Sequence, residues 1–157
     1  MNIFYLDKCP KKAARLQYNK HVVKMILESA QMLCTTHHYW LINPDVPYKP
    51  THMNHPSAVW VRENNKHYHW LYEHILALGL QYTYRNGKVH LSIQKCLKPL
   101  ELAPFNIPHT EFKQPPQCMP DEYKDECSVQ AYWNYYVGEK HKVANKGKEI
   151  VYDRRIN

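Results

Sequence analysis

The sequence predicts a mainly α fold: a single-domain, helical bundle-like protein over residues 1–157, with long Pro-rich loops. Two long stretches repeat apolar residues every three or four positions, which places those side chains on one face of a helix. Two other stretches are rich in proline, which cannot continue a helix. With 157 residues and 44% hydrophobic side chains, the chain is sufficient for one domain with its own core.

The principal helix is predicted from Tyr18 to about His38. Its apolar stripe consists of Val22, Val23, Ile26, Ala30 and Leu33. A shorter helix over residues 11–17 is expected before it, with Pro10 in the first turn, where no hydrogen-bond donor is needed. Residues 2–6 form an apolar entry, either a strand or an extended lead into the core.

A second long helix is predicted after the first Pro-rich stretch, a loop over residues 42–56. A short helical segment holding Trp60 comes first, and the stripe after it consists of Tyr68, Leu71, Ile75, Leu78 and Tyr82. Gly87 is expected to end this helix, because glycine readily takes the left-handed conformation just past a last turn. The two long stripes should pack against each other, since neither can remain in water.

The C-terminal half is predicted to hold two further helices on either side of the second Pro-rich stretch. One lies within residues 88–98, and the last runs from about Ser128 to Val137 and ends at Gly138. The stretch 99–120 contains six prolines, so it is expected to wrap the surface without regular structure.

Basic residues are concentrated at the two ends of the chain, whose formal charge is +7. Up to Lys24, six basic residues stand against Asp7 alone. In the basic C-terminal tail, residues 139–157, six basic residues stand against three acidic ones. Both ends are therefore candidates for contact with phosphates.

Several classes of protein are not indicated. Five cysteines without a C-x-x-C pair predict neither a disulfide framework nor a zinc ribbon. His52 and His55 have a spacing of i, i+3 but no third ligand beside them on a regular element, so no metal and no cofactor is predicted. Without a signal peptide or a long apolar run, we expect a soluble cytoplasmic protein with no membrane partner.

Charged and titratable residues occupy another face of the principal helix. His21, Lys24 and Glu28 fall at i, i+3 and i+7, with Lys20 one turn from Lys24. His21 and Glu28 are the predicted catalytic residues, for acid–base function. Lys20 and Lys24 are predicted to hold phosphate. The alternative is a solvated face with one Lys24–Glu28 ion pair worth a few tenths of a kcal/mol.

An aromatic cluster beside the basic tail is the second feature that indicates a binding site. Flat rings stack on bases, at about 1–3 kcal/mol per base, while lysines hold phosphates. The substrate-binding candidates here are Tyr132, Trp133, Tyr136 and Lys140. Alternatively the tyrosines belong to the core, with Trp133 facing outward. His55 and Arg62 are predicted to complete the pocket.

Together these features resemble the small helical pyrimidine-dimer DNA glycosylases of phages. In that family the corresponding helix carries an Arg-Glu-x-x-Arg pattern, whose Glu is the catalytic carboxylate and whose arginines hold DNA phosphates. By position, Lys20 matches the first Arg, His21 the Glu and Lys24 the second Arg. Residues 133–140 resemble the family's aromatic terminal segment, and the match covers about a third of the chain.

The sequence departs from that family at two places. His21 stands where the family has a carboxylate, although an imidazole can act as a general acid or base near neutral pH. The family's nucleophile is the amine of a processed small residue, which forms a Schiff base with the opened sugar, whereas Met1 before the large Asn2 is expected to be retained. The resemblance therefore supports the fold and the phosphate-holding face better than lyase chemistry.

Two functions follow from the sequence. The first is a phage-type, glycosylase-like enzyme acting on DNA or on a nucleotide in the host-cell cytoplasm. The alternative is a non-catalytic binder that sequesters a small signalling nucleotide as an anti-defence protein, with the same cations on its phosphates and the rings on its base. The sequence alone does not decide whether the protein is an enzyme.

Overall fold

The computed structural model describes residues 1–144. Its helices are α1 (Pro10–Leu16), α2 (Asn19–Tyr39), α3 (Pro56–Glu63), α4 (Asn65–Asn86), α5 (Leu91–Cys96), α6 (Ser128–Tyr135) and α7 (His141–Ala144), with a 3₁₀ turn at Asp121–Tyr123 and a π turn at Tyr136–Lys140. No strand occurs within this range, and the predicted mainly α class is confirmed. No helix in the same range is both long and apolar enough to cross a bilayer. Most of the predicted basic tail lies outside the described residues, including Lys146, Lys148, Arg154 and Arg155.

The two long helices, α2 and α4, pack against each other, with α1 against α4 and α3 against both. The shared core contains the predicted stripe residues Val22, Ile26, Ala30, Leu33, Leu71, Ile75 and Leu78. Burial of each Leu or Ile contributes about 1.5–3 kcal/mol, so this contact is a major source of stability. Val23 is an exception to the predicted stripe. Its side chain is 42% exposed, because it lies about 100° around the helix from Val22.

Two helices begin with histidine in the same local arrangement. Nδ1 of His55 accepts a hydrogen bond from the Ser57 N–H at 3.1 Å at the start of α3. Nδ1 of His90 accepts one from the Ser92 N–H, also at 3.1 Å, at the start of α5. Each imidazole thereby satisfies one of the N–H groups that a first helical turn leaves unpaired.

The two glycines predicted to end helices behave differently. Gly87 has a left-handed φ of 70° just past α4, and its N–H donates to the Thr83 carbonyl at 2.8 Å, so that prediction is confirmed. The prediction for Gly138 is wrong, because the chain continues through the π turn into α7. A Cβ at Gly138 would overlap the ring of Tyr123. Glycine is therefore needed there for close approach, not for a stop.

Residues 3–6 are buried and belong to neither a helix nor a strand, so the N-terminal segment enters the core without regular structure. Oδ1 of Asn2 accepts hydrogen bonds from the N–H groups of Ile3 at 2.7 Å and Phe4 at 3.1 Å. Phe4 takes a φ of 53°, which is uncommon for a bulky residue. The indole N–H of Trp133 donates to the Leu6 carbonyl at 2.9 Å, which fastens α6 to this segment.

The Pro-rich stretch 99–120 contains no regular element, as predicted, and lies against the junction of α3 and α4. The Pro108 carbonyl accepts from the Asn65 N–H at 2.8 Å. The Lys113 carbonyl accepts from the indole N–H of Trp60 at 2.8 Å. The backbone of this stretch thus finds its hydrogen-bond partners on the helices that it crosses.

Candidate active site

Glu28, on α2, lies among the Lys24 ammonium, the Met1 amine and the Asn2 N–H, and we call these groups the carboxylate cluster. The Glu28 side chain is only 12% exposed. Oε1 is 3.6 Å from Nζ of Lys24, one turn earlier, and Oε2 is 4.0 Å from the amine of Met1. Oε2 also accepts a hydrogen bond from the Asn2 N–H at 3.0 Å. The carboxylate is held between two cationic groups and a backbone donor, in a place where charges interact more strongly than in bulk water.

His55 is joined to this cluster by a series of contacts. The side-chain amide of Asn2 donates to the Cys118 carbonyl at 3.0 Å. Sγ of Cys118 lies 3.5 Å from the hydroxyl of Ser57, whose N–H donates to Nδ1 of His55. These contacts place the start of α3 beside the first residues of the chain, which in turn contact Glu28.

Electrostatic interactions agree with this position of His55. Partial burial lowers the pKa of its imidazole, and the Met1 amine and His52 lower that pKa further. Glu28 acts in the opposite direction and raises the pKa. His55 is therefore mostly neutral at pH 7. Because Nδ1 accepts from Ser57, the proton of the neutral ring is assigned to Nε2.

His21 lies in a different environment, two turns before Glu28 and about 10 Å from it along the helix axis. It is 7% exposed, and its Nδ1 lies 2.6 Å from the hydroxyl of Tyr136. The Phe4 ring stacks on the imidazole with the ring centroids 4.3 Å apart, and Tyr18 stacks on Tyr136 at 4.6 Å. We call Phe4, Tyr18, His21 and Tyr136 the His21 cluster.

Three predicted phosphate ligands lie close to the His21 cluster. Burial, together with the charges of Lys140, Lys24 and Lys20, lowers the pKa of His21 to about 4. These lysines are therefore within electrostatic reach of one imidazole, and we call them the lysine face. Lys20 and Lys24 are exposed, while Nζ of Lys140 lies 4.7 Å from the ring centroid of Tyr135. Lys24 belongs both to this face and to the carboxylate cluster.

The predicted base-binding rings lie largely inside the protein. Tyr132 and Tyr136 are both 0% exposed, so neither presents a ring face to solvent in this structure. The hydroxyl of Tyr132 donates to the Pro116 carbonyl at 2.7 Å and accepts from the Cys118 N–H at 3.4 Å. Trp133 is half-buried, and its indole N–H is used by the N-terminal segment. The two tyrosines thus pack as core residues.

Arg62 lies at the other end of α2 from the lysine face. Its guanidinium donates to the Met53 carbonyl and stands over the ring of Tyr39, 4.2 Å from the centroid. Tyr39 ends α2, about 16 Å along the helix from Glu28. The contacts of Arg62 therefore brace the loop over 42–56, and it is His55, at the opposite end of α3, that is connected to the carboxylate cluster.

Three residues of the site are missed by the sequence analysis: Asn2, Ser57 and Cys118. Ser57 and Cys118 are separated by 61 positions, and no spacing rule relates them. The available signal is the His-x-Ser pattern at residues 55–57 and again at 90–92, where each histidine begins a helix. Within residues 1–144, no group of three or more His, Cys, Asp or Glu side chains is arranged to hold a metal ion.

Comparison with known proteins identifies no relative: no protein-family model, no curated protein and no solved structure matches the chain. The function is therefore inferred from the side chains described above.

Proposed function

We propose that the protein binds nucleic acid through its lysine face and uses Glu28 to cleave an N-glycosidic bond, as a DNA or nucleotide N-glycosylase. The observation that carries this proposal is the largely enclosed carboxylate of Glu28, 3.6 Å from Nζ of Lys24. Lys24 also belongs to the lysine face. A group able to act on a sugar thus adjoins a group able to hold the phosphate next to that sugar.

The carboxylate suits the chemistry of this bond. As the bond from C1′ to the base nitrogen breaks, the electron pair leaves with the base and positive charge develops on the sugar. A carboxylate stabilises such a charge and accepts a proton from the attacking water. The water oxygen bonds to C1′, and the water proton moves to Glu28.

The lysine face supplies the binding energy in this proposal. The chain carries a formal charge of +7, which favours association with a polyanion. Lys20 and Lys24 are exposed, so they are able to contact phosphates without rearrangement of the core. His21 lies beneath these lysines in its neutral form and adds no repulsive charge to a face that must hold three cations.

Substitution of Glu28 by Gln tests the proposal. Free bases released from plain, uracil-containing and UV-irradiated DNA are measured by mass spectrometry, with single and double strands. We expect the protein to release a base from at least one DNA, and Glu28→Gln to slow release by about 10²–10⁴-fold with binding retained. Glu111→Gln is the matched control. Glu111 also pairs with a lysine, Lys66 at 3.8 Å, but its side chain is 95% exposed, so release should not change.

A protein that releases no base from any of these DNAs would contradict the enzymatic proposal. The small-nucleotide binder would then be supported by a nucleotide freed on heating protein purified from a cell lysate. Binding of that nucleotide should change little with salt, because few phosphates are contacted. Contacts to many DNA phosphates make log affinity fall steeply with log salt concentration.

A further inference from the structure

We infer that His55 is a second functional residue of this site, whose Nε2–H donates a hydrogen bond to a base that departs as an anion. The inference rests on the proposed function and adds to it a residue that stabilises the leaving group. The inference is supported by the arrangement at the start of α3. There Nδ1 of His55 accepts a hydrogen bond from the helix, and Nε2 carries the proton.

The helix cap decides which nitrogen of His55 carries the proton. A neutral imidazole has one N–H, and Nδ1 is occupied as the acceptor of the Ser57 N–H at 3.1 Å. Within residues 1–144, the His55 side chain makes this one hydrogen bond. His90 caps α5 in the same way, and its ring lies edge-on to Tyr82 with the ring centroids 5.0 Å apart. His90 belongs to α5, and no contact connects it to the groups around Glu28 in the described part of the chain.

A series of contacts connects His55 to the carboxylate cluster. Ser57 is 0% exposed and is connected through Cys118 and Asn2 to the groups around Glu28. His55 itself is partly exposed, so a ligand is able to reach its ring. Its pKa responds to both the Met1 amine and Glu28, in opposite directions.

The chemistry divides between the two residues. Glu28 acts on the sugar side, where positive charge develops and water attacks. His55 acts on the base side, where the electron pair of the broken bond spreads onto the carbonyl oxygens of the base. A neutral imidazole is a weak proton donor but a good hydrogen-bond donor, and it stabilises an oxyanion in this form. The base anion then takes its proton from solvent.

The test varies the leaving base and the side chain at position 55. Three otherwise identical DNA strands carry thymine, uracil or 5-fluorouracil, in order of increasing ease of departure as an anion. His55→Asn keeps a good N-cap for α3 and takes the donor away from the Nε2 position, because the shorter Asn side chain holds its amide N–H₂ closer to the backbone. We expect release of thymine to slow by about 10²-fold, the effect of losing one oxyanion donor, and release of 5-fluorouracil to slow much less. His90→Asn, the same change at α5, should leave all three rates unchanged.

The possible results separate the inference from the proposed function. If His55→Asn slows all three bases equally, or slows none, this role of His55 is wrong while the proposed function stands through Glu28→Gln. If the protein itself releases none of the three bases, the role of His55 falls as well. Circular dichroism melting shows whether His55→Asn is folded at the assay temperature. If it is not, His55→Ser, which also caps a helix and lacks the donor, takes its place with the same expected pattern.

Discussion

Nδ1 of His21 and the hydroxyl oxygen of Tyr136 lie 2.6 Å apart, although the residues are separated by 115 positions. Both side chains are buried, and the Phe4 ring covers one face of the imidazole. The contact joins α2 to the π turn that carries Lys140. Because water does not compete for these buried groups, loss of the Tyr136 hydroxyl removes a hydrogen bond from a buried imidazole. The same bond therefore supports the core and positions part of the lysine face.

Tyr136→Phe should destabilise the protein by about 1–3 kcal/mol, because the ring remains while the partner of His21 is lost. Urea unfolding followed by circular dichroism measures the change. Tyr84→Phe is the matched control, since Tyr84 is 88% exposed, and it should change the free energy of unfolding by less than about 0.5 kcal/mol. Equal stability of Tyr136→Phe and the parent protein would show that the short contact contributes nothing to the fold.

Acid should destabilise the protein through two buried histidines. Burial lowers the pKa of both His21 and His74 to about 4, and His74 is 0% exposed with its Nδ1 2.9 Å from the Pro10 carbonyl. In the unfolded chain histidine titrates near 6.5, so the unfolded state binds more protons below that pH. The stability that each neutral histidine contributes is fully present above about pH 6.5. It is lost as the pH falls toward about 4, by roughly 3 kcal/mol per residue at most.

Urea unfolding at several pH values between about 7.5 and about 4.5 measures this loss. His74→Gln removes one of the two titrating groups, so its free energy of unfolding should depend less steeply on pH than that of the parent. A decline with the same slope in both proteins would assign the acid sensitivity to other groups.

The parts of the fold that follow local rules are predictable from the sequence. Val22, Ile26 and Ala30 repeat at helical spacing, and burial of that stripe follows from the hydrophobic effect alone. Gly87 ends α4 because the requirement for positive φ is also local. The charged face of α2 is equally visible as a spacing of Lys20, His21, Lys24 and Glu28.

What the sequence does not show is which residues distant in the chain cover each face. Helical spacing puts His21 and Glu28 on one side of α2, but Phe4 and Tyr136 enclose the imidazole while the Met1 amine reaches the carboxylate. The same limit explains Gly138, whose reason for being glycine is the ring of Tyr123. Glycine is favoured both at the end of a helix and where another side chain packs closely against the backbone. The neighbouring sequence does not show which of these two reasons applies.

Gly138→Ala should destabilise the protein by about 1 kcal/mol, the low end of the range for overpacking, because the Tyr123 ring is only partly buried and is able to move aside. Thermal unfolding of the single variant and of Gly138→Ala combined with Tyr123→Ala measures the effect. In the double variant the added methyl group should cost less than it does alone, since the ring it meets is gone. An identical cost in both backgrounds would place the strain elsewhere in the π turn.

Lys24→Ala separates a binding role of the lysine face from a purely structural one. The Lys24 side chain is 66% exposed although Glu28 is only 12% exposed, so solvent screens the ammonium group and the pair contributes about 0–1 kcal/mol to stability. If Lys24 holds a phosphate, its loss should weaken binding of a labelled DNA oligonucleotide by about 1–3 kcal/mol and reduce the salt slope by about one, with the melting temperature nearly unchanged. Fluorescence anisotropy at several salt concentrations measures both quantities.

Lys66→Ala is the control for this experiment. Lys66 also pairs with a glutamate, at 3.8 Å, and is 51% exposed, but it lies in the first turn of α4. That turn is at the opposite end of α2 from the lysine face, because Arg85, in the last turn of α4, donates to Asn19 in the first turn of α2. Lys66→Ala should therefore weaken DNA binding only slightly, through the loss of one unit of net positive charge. A Lys24→Ala protein that binds DNA normally but melts several degrees lower would make Lys24–Glu28 a structural ion pair and would remove the lysine face from the proposed site.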